Sequence, residues 1–344
     1  MKRYASIVML LIISAFQIVF SQPPKIDRIA FFSDESILKA TLVVNMTNVL
    51  TNHKKNGYNI NGKFVTALPD GTQINDPVIL DVRGHFRMEH CFVPPIRLKF
   101  NVKESSVFYS LKSLKLVNEC KISNEYEQYL LKEYIVYKIY NLLTDLSFRV
   151  RLLNLTFQDS AARKKPINEY AYLMEDIKDL AIRNDFVIRK GGKLSTEATN
   201  RKQMTLVAIF EYMIGNTDWA VSVNHNIKLI VPSKDTTARP FSVPYDFDHS
   251  GFVNTEYAAP DERLEIENVR QRLYRGYPRS MGELEEVLSI FKQQKTKIYG
   301  TVNNFDLLTQ RNKKEITDYL DDFYSTINRP DEVKSIFIEN ATSH

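Results

Sequence analysis

Two short polar stretches of the sequence carry the residue types that phosphoryl transfer requires. In the first stretch, Asp218 follows Gly-Asn-Thr at 215–217, and Asn226 comes eight residues later. In the second stretch, Asp246 and Asp248 are separated by a single residue. One carboxylate could accept the proton of an attacking hydroxyl, while an Asn and a further Asp hold Mg²⁺ against the phosphates. The spacing therefore predicts a catalytic loop with Asp218 as the base, followed by a metal-binding loop.

Regular elements are predicted on both sides of these loops. A helix over 205–214 should end just before the catalytic loop, and strands over 227–230 and 241–243 should follow it. Because side chains alternate along a strand, Asp246 and Asp248 would face the same way. Two like charges placed together favour a hard, oxygen-ligated cation between them. The alternative is that these Asn and Asp residues only close turns and a salt-bridged hairpin.

A second group of residues could bind a nucleotide. Lys115 lies in a short apolar strand, and Glu133 lies in the first half of a long amphipathic helix predicted over 125–143. A Lys that faces the phosphates and pairs with a Glu on the following helix suits an ATP site. Lys99 and Arg97 are equally well placed, and Lys115 could instead be an exposed strand residue.

Arg83 is a further candidate for phosphate binding. It follows the predicted strand 78–82 and precedes Gly84, which would let the backbone approach an anion while the guanidinium donates two hydrogen bonds. The sequence has no P-loop motif and neither of the common serine or zinc hydrolase motifs. His225 and His249 leave a metallohydrolase as an alternative, but the Asn- and Asp-rich set suits Mg²⁺ better than a transition metal.

The amino terminus indicates export. A basic tip at residues 2–3 precedes an apolar run over 7–20, which is typical of a secretory signal peptide cleaved after Ser21. A retained anchor helix is the alternative, although the run is short for a membrane span. No later segment is long and apolar enough to cross a bilayer. We therefore expect a secreted or periplasmic chain without a transmembrane span.

Charge and cysteine content bear on partners and on the compartment. The formal net charge is +5 and would fall to +3 when Lys2 and Arg3 leave with the signal. Such a small charge, with basic and acidic residues interleaved, argues against nucleic acid as a partner. The two cysteines, Cys91 and Cys120, could form one disulfide or remain as two buried thiols. Four arginines could bind an acidic substrate or simply solvate a turn: Arg270, Arg272, Arg275 and Arg279.

The order of elements predicts the fold class. Short strands come first, then the long helix, then further strands and finally mostly helices. This order predicts an α+β, protein-kinase-like fold of two lobes. After the signal peptide, 1–21, a β-rich N-lobe would span 22–190 and a mostly helical C-lobe would span 191–344. Glu175 would lie at the hinge between the lobes or on an exposed acidic turn.

In their order along the chain, these motifs resemble those of CotH-type kinases, the secreted atypical protein kinases first known from spore coats. The resemblance covers about residues 37–257. Its most specific parts are Gly-Asn-Thr-Asp-Trp at 215–219 and Tyr-Asp-Phe-Asp at 245–248. It implies a Ser/Thr kinase that uses ATP and Mg²⁺ to phosphorylate hydroxyls of a protein or cell-surface substrate. A catalytically inactive pseudokinase or a cell-envelope binding module is the alternative function.

The resemblance also assigns roles to individual residues. Asp218 would be the catalytic base. The remaining roles are metal ligation by Asn226, Asp246 and Asp248, and nucleotide binding by Lys115, Glu133 and Arg83. The chain departs from the family where Arg83-Gly84 is followed by His85-Phe86 instead of Asn and Ser or Thr. The step from Asp218 to Asn226 is longer than in ordinary kinases, which makes Asn224 a rival ligand.

Overall fold

The computed structural model describes residues 25–51, 57–68, 71–83 and 91–341 of the chain. The predicted signal peptide lies outside these residues, and so do Gly84, His85 and Phe86. Within the described ranges, none of the helices combines the length and the apolar character that a bilayer crossing requires.

Seven strands form a closed barrel. The strands are β1 (Leu38–Val44), β2 (Asn59–Ala67), β3 (Gln73–Val82), β4 (Ile96–Lys99), β5 (Ser113–Asn118), β6 (Val150–Asp159) and β7 (Ile167–Met174). They follow one another around the barrel in the order β1-β2-β3-β4-β5-β7-β6, and the parallel pairing of β1 with β6 closes it. Buried side chains alternate with exposed or half-buried ones along β3, and the buried ones join the packed core of the barrel. Within that core, the ring centroid of Phe64 lies 5.3 Å from that of Phe100 and 5.4 Å from that of Phe108.

A separate sheet of three strands lies later in the chain. Its strands are β8 (Phe186–Ile188), β9 (Ile227–Pro232) and β10 (Phe241–Pro244), and its order is β10-β9-β8. All of its pairings are antiparallel.

Besides a few short helical turns, the described part of the chain also has eight α-helices. They are α1 (Arg28–Ser33), α2 (Met46–Thr51), α3 (Asn124–Leu143), α4 (Ile177–Arg183), α5 (Arg201–Ile214), α6 (Met281–Asn303), α7 (Gln310–Ile327) and α8 (Pro330–Lys334). Helix α3 begins after Ser123, whose hydroxyl oxygen accepts a hydrogen bond from the Tyr126 N–H at 3.3 Å. It packs against α6 and β7 and is buried on most sides, so it joins the barrel to the helices.

The expected two-lobed, protein-kinase-like fold is wrong. The strands before and after α3 close into a single seven-stranded barrel, and the small sheet and the helices lie outside it, which gives a mixed α+β fold. The closure depends on the β1–β6 pairing, which joins segments far apart in sequence and leaves no local signal. Strand β2 was not predicted either, because its Asn, Gly and Lys residues obscure the alternation of apolar side chains.

A disulfide joins Cys91 to Cys120, with a Cα–Cα distance of 4.3 Å. Both residues are buried and pack with Tyr126 at the start of α3. The bond therefore ties the segment after β5 to the segment that precedes β4.

Candidate functional site

The loop that carries Asp218 is held by the end of helix α5. Gly215 ends the helix in the left-handed conformation, at φ 66°, and a Cβ at this position would overlap the hydroxyl of Tyr319. The side chain of Asn216 then braces the turn. Its Nδ2 donates to Oε2 of Glu211 at 2.9 Å, and its Oδ1 accepts from the Asp218 N–H at 3.0 Å.

The Asp218 carboxylate has two side-chain partners. Its Oδ1 lies 2.7 Å from Nε2 of His225, and its Oδ2 accepts from Nδ2 of Asn226 at 2.9 Å. The same Nδ2 also donates to the Asp218 carbonyl oxygen at 2.8 Å. Because its amide hydrogens are used in this way, Asn226 keeps its amide oxygen for another partner. The Asp218 side chain is still 39% exposed, so a molecule in solution can reach its carboxylate.

The predicted metal-binding loop, 245–248, begins where strand β10 ends. Pro244 is the last residue paired with β9, and the next N–H, that of Tyr245, donates to the carbonyl oxygen of Asn226 at 3.0 Å. Asp246 follows in the left-handed conformation at φ 70°, and its N–H donates to the hydroxyl oxygen of Tyr137 at 2.9 Å. The β9–β10 hairpin therefore brings Asp218, Asn226 and Asp246 to one of its ends.

The expectation that a strand presents Asp246 and Asp248 on one side is wrong. The strand stops before them, Asp246 is left-handed, and Phe247 is fully buried against the Tyr137 ring at 4.8 Å between centroids. Asp248 accepts a hydrogen bond from the Tyr257 hydroxyl at 3.0 Å. Asp246 is consequently the more exposed of the two carboxylates.

Two lysines approach the Tyr245 ring beside Asp246. The Nζ of Lys115 lies 4.5 Å from the ring centroid and the Nζ of Lys228 lies 5.0 Å from it. Lys115 comes from barrel strand β5 and Lys228 from the small sheet, so this contact joins the two sheets. Sequence reasoning had given neither Lys228 nor Tyr245 a role, although both are neighbours of predicted ligands.

Positive charge outweighs negative charge around Lys115. The pKa of Lys115 falls from its ordinary 10.5 to about 8: burial is the main cause, the cations of Arg83, Lys228 and Arg97 add to it, and Asp246 opposes them. The rival Lys99 has a different environment, since it forms an ion pair with Asp81 at 3.1 Å. The structure thus places Lys115 near Asp246, Arg83 and Arg97, and gives Lys99 a carboxylate partner of its own.

The sequence pairs Lys115 with Glu133, and the structure shows a contact of Glu133 with residues 245–248. Glu133 is buried, and its Oε1 accepts from the Phe247 N–H at 3.3 Å. Its position on α3 therefore supports the predicted metal-binding loop directly, and Asp246 is the carboxylate that acts on Lys115.

Two further residues brace the predicted catalytic loop, 215–226, and sequence reasoning missed this role for both. Arg275 donates to the carbonyl oxygens of Thr217 and, at 2.9 Å, Trp219, and its guanidinium lies 5.6 Å from the centre of the buried Trp219 ring. Glu211 is fully buried, which raises the pKa of its carboxyl to about 8. The interleaved charges around 270–279 gave no sign that Arg275 binds backbone.

Contacts within the chain show how Glu175 and the arginines of 270–279 are used. Glu175 is not exposed; it forms a buried ion pair with Arg183 at 2.8 Å. The remaining arginines of the predicted cluster also bind within the chain. Arg270 donates to the Gly251 carbonyl oxygen, Arg272 to that of Met213, and Arg279 to the Thr205 hydroxyl.

A cleft of about 630 Å³ opens beside Asp218. Trp219, His225, His249 and Arg263 line this cleft. The two histidines that suggested a metallohydrolase as an alternative therefore border the same space as Asp218. Within the described ranges, no group of three His, Cys, Asp or Glu side chains is placed to hold a metal ion. The donors at the hairpin end differ from such a group, because they combine carboxylate oxygens with the amide oxygen of Asn226. Oxygen donors of this kind suit Mg²⁺.

Comparison of the chain with known protein families, with curated proteins and with solved structures found no match. The arrangement of the residues themselves is therefore the basis on which a function can be assigned to this chain.

Proposed function

We propose that the chain is an exported phosphotransferase that moves the γ-phosphoryl group of Mg²⁺·ATP onto a hydroxyl of a protein or cell-surface acceptor. One observation carries the proposal: the β9–β10 hairpin gathers Asp218, Asn226 and Asp246 at the end where Lys115 approaches. A base, metal ligands and a phosphate-binding cation are the parts that phosphoryl transfer needs. The motifs shared with CotH-type kinases support the same activity, and the proposal does not require their fold.

The metal would be held by Asp246 and by the amide oxygen of Asn226. Hydrogen bonds from the Asn226 amide nitrogen to Asp218 fix the orientation of that oxygen. The exposed Asp246 carboxylate adds negative charge and lies close to the cations that would bind phosphate. Mg²⁺ bound there would neutralise charge on the β- and γ-phosphates. Asp248, engaged by the Tyr257 hydroxyl, would act on the metal through water.

The excess of positive charge explains why a polyphosphate would bind. The cations of Arg83, Lys228 and Arg97 act on Lys115, and the carboxylate of Asp246 opposes them. Partly buried like charges repel each other and are costly without counter-ions. The phosphates of ATP would add negative charge beside Lys115 and raise its pKa toward the ordinary value.

Asp218 would act as the general base. An acceptor hydroxyl in the adjoining cleft would donate its hydrogen bond to the Asp218 carboxylate. As the hydroxyl oxygen forms its bond to the γ-phosphorus, the bond from that phosphorus to the bridging oxygen of ADP breaks, and the hydroxyl proton passes to Asp218. The brace formed by Asn216 and Arg275 would keep the carboxylate in place during transfer.

The test is transfer of label from [γ-³²P]ATP, with casein and the chain itself as acceptors and with Mg²⁺ or EDTA present. Asp218→Asn should lower the transfer rate by about 10²- to 10⁴-fold, the usual contribution of a general base. Mg²⁺·ATP binding should remain. Asp261→Asn is the matched control, because Asp261 borders the same cleft but pairs with Arg263.

Two outcomes would count against the proposal. Binding of Mg²⁺·ATP without any transfer would favour the binding-module alternative. Equal transfer by the Asp218→Asn and Asp261→Asn variants would remove Asp218 from the chemistry.

A further inference from the structure

The small sheet has an open edge. Strand β8 pairs with β9 along one side, and no described element pairs with its other side. Two large apolar side chains are exposed on this strand: Val187 is 40% exposed and Ile188 is 37% exposed. Open edges that carry apolar side chains are the surfaces on which another strand can add.

The register shows which backbone groups face outward. The Asp185 carbonyl oxygen accepts from the Ser233 N–H at 2.8 Å, and the Arg189 N–H donates to the Leu229 carbonyl oxygen at 3.0 Å. Since backbone groups of successive residues point to opposite sides of a strand, odd-numbered residues here face β9. The N–H and C=O groups of Phe186 and Ile188 therefore point away from the sheet.

A groove of about 780 Å³ borders this strand. Val187 and Ile188 line it together with Val231 of β9 and residues 236–240 of the β9–β10 turn, so the groove extends from the open edge toward that turn. Three cations line it, namely Arg189, Lys190 and Arg239, and no carboxylate does within the described part of the chain. The surface thus combines outward backbone groups, apolar side chains and positive charge.

We propose that this edge docks an extended, acidic segment of a partner protein, which adds to the sheet as a strand beside β8. Backbone hydrogen bonds to Phe186 and Ile188 would supply affinity, and the apolar side chains of the segment would cover Val187 and Ile188. Its carboxylates would meet the cations, which selects against basic segments. The site is separate from the Asp218 cleft and does not depend on the reaction proposed for that cleft.

The test measures fluorescence anisotropy with a fluorescein-labelled nonapeptide in which Val and Asp alternate. A peptide with Lys in place of Asp and a poly-aspartate chain serve as comparison probes. Ile188→Pro removes one outward N–H while leaving the hydrogen bonds to β9 intact. It should weaken binding by about tenfold, the effect of losing a backbone hydrogen bond and one apolar contact. Lys190→Glu should also weaken binding, whereas Arg311→Glu on the exposed surface of α7 should not.

Thermal unfolding of each variant separates a loss of binding from a loss of fold. The proposal is supported if only the Val-Asp peptide binds, and if Ile188→Pro weakens that binding without changing the unfolding midpoint. If Ile188→Pro unfolds, Ile188→Asp replaces it in the test. This variant keeps the backbone but repels an acidic segment, so it should also weaken binding of the Val-Asp peptide. Equal binding of the Lys peptide or of poly-aspartate would overturn the proposal. Self-association through this edge without peptide binding, seen by sedimentation velocity, would also overturn it, because the occupant would then be a second copy.

Discussion

Replacement of Lys115 by Met should change stability and nucleotide binding in opposite directions. In the protein without nucleotide, charged Lys115 is partly buried among other cations, and its pKa falls from 10.5 to about 8. Since a tenfold change in the protonation equilibrium is worth about 1.4 kcal/mol, charging Lys115 in the folded state costs about 3 kcal/mol. Loss of the Tyr245 contact would offset about 1 kcal/mol of this. Lys115→Met should therefore raise the free energy of unfolding by about 1–2 kcal/mol at pH 7.

Nucleotide binding should respond in the other direction. A charge-assisted hydrogen bond to phosphate contributes about 1.5–3 kcal/mol, so Lys115→Met should weaken Mg²⁺·ATP binding by about 10- to 150-fold. The matched control is Lys99→Met, because Lys99 lies on the neighbouring strand but pairs with Asp81 and Asn59. That control should lose a little stability and bind Mg²⁺·ATP as the wild type does.

The pH dependence of stability and of nucleotide binding provides a second test of Lys115. The folded protein releases the Lys115 proton near pH 8 and the unfolded chain near 10.5, so the unfolded state binds more protons in between. Wild-type stability should accordingly gain a contribution as pH rises through this range, and Lys115→Met should lack it. Affinity for Mg²⁺·ATP should fall above pH 8 in the wild type, and Lys115→Arg should remove that fall.

Urea denaturation and isothermal titration calorimetry measure the two quantities independently. A Lys115→Met variant that is less stable than the wild type yet binds nucleotide equally well would show that Lys115 has a structural role. The charge argument would then be refuted.

Three further variants test the supports of the site. Burial raises the pKa of the Glu211 carboxyl to about 8, so the folded wild type loses stability as pH rises from 4.5 to 8. Glu211→Gln lacks this loss and should become more stable relative to the wild type over that interval. Unfolding midpoints at pH 5 and pH 8 measure the difference. Gly215→Ala should lower the free energy of unfolding in urea by about 2–4 kcal/mol, through the left-handed backbone and the overlap with Tyr319, and no loss would contradict the packing described. Replacement of Cys91 and Cys120 together by Ser should cost about 3–4 kcal/mol for a loop of this length, and a reductant should lower wild-type stability to match but leave the variant unchanged.

Local patterns predicted the elements around the site well. Helix α5 and strands β9 and β10 lie within a few residues of their predicted bounds, because each has a clear apolar period and a Gly or Pro at an end. The closed barrel could not be predicted in the same way. Its decisive pairing, β1 with β6, depends on the barrel as a whole, and β2 lacks a clean alternation of apolar residues.

The partners of the site residues were harder to predict than their positions. Spacing located Asp218 and Asn226 correctly on one loop, and the structure joins them by a hydrogen bond. It did not reveal that Glu133 contacts the Phe247 backbone or that Lys228 comes within reach of Tyr245. Those contacts depend on how α3, β5 and the small sheet pack, which residue spacing does not specify.

Isothermal titration of the chain with the non-hydrolysable analogue AMP-PNP, in Mg²⁺ and then in EDTA, tests the central claim most directly. If Asp246 and Asn226 hold a metal that bridges to the phosphates, one molecule should bind per chain, and only with Mg²⁺ present. Asp246→Asn should weaken that binding at least about tenfold, by loss of a charged ligand. Asp318→Asn, on the exposed face of α7, should leave it unchanged. Binding that is indifferent to Mg²⁺, or equal in the two variants, would contradict the account.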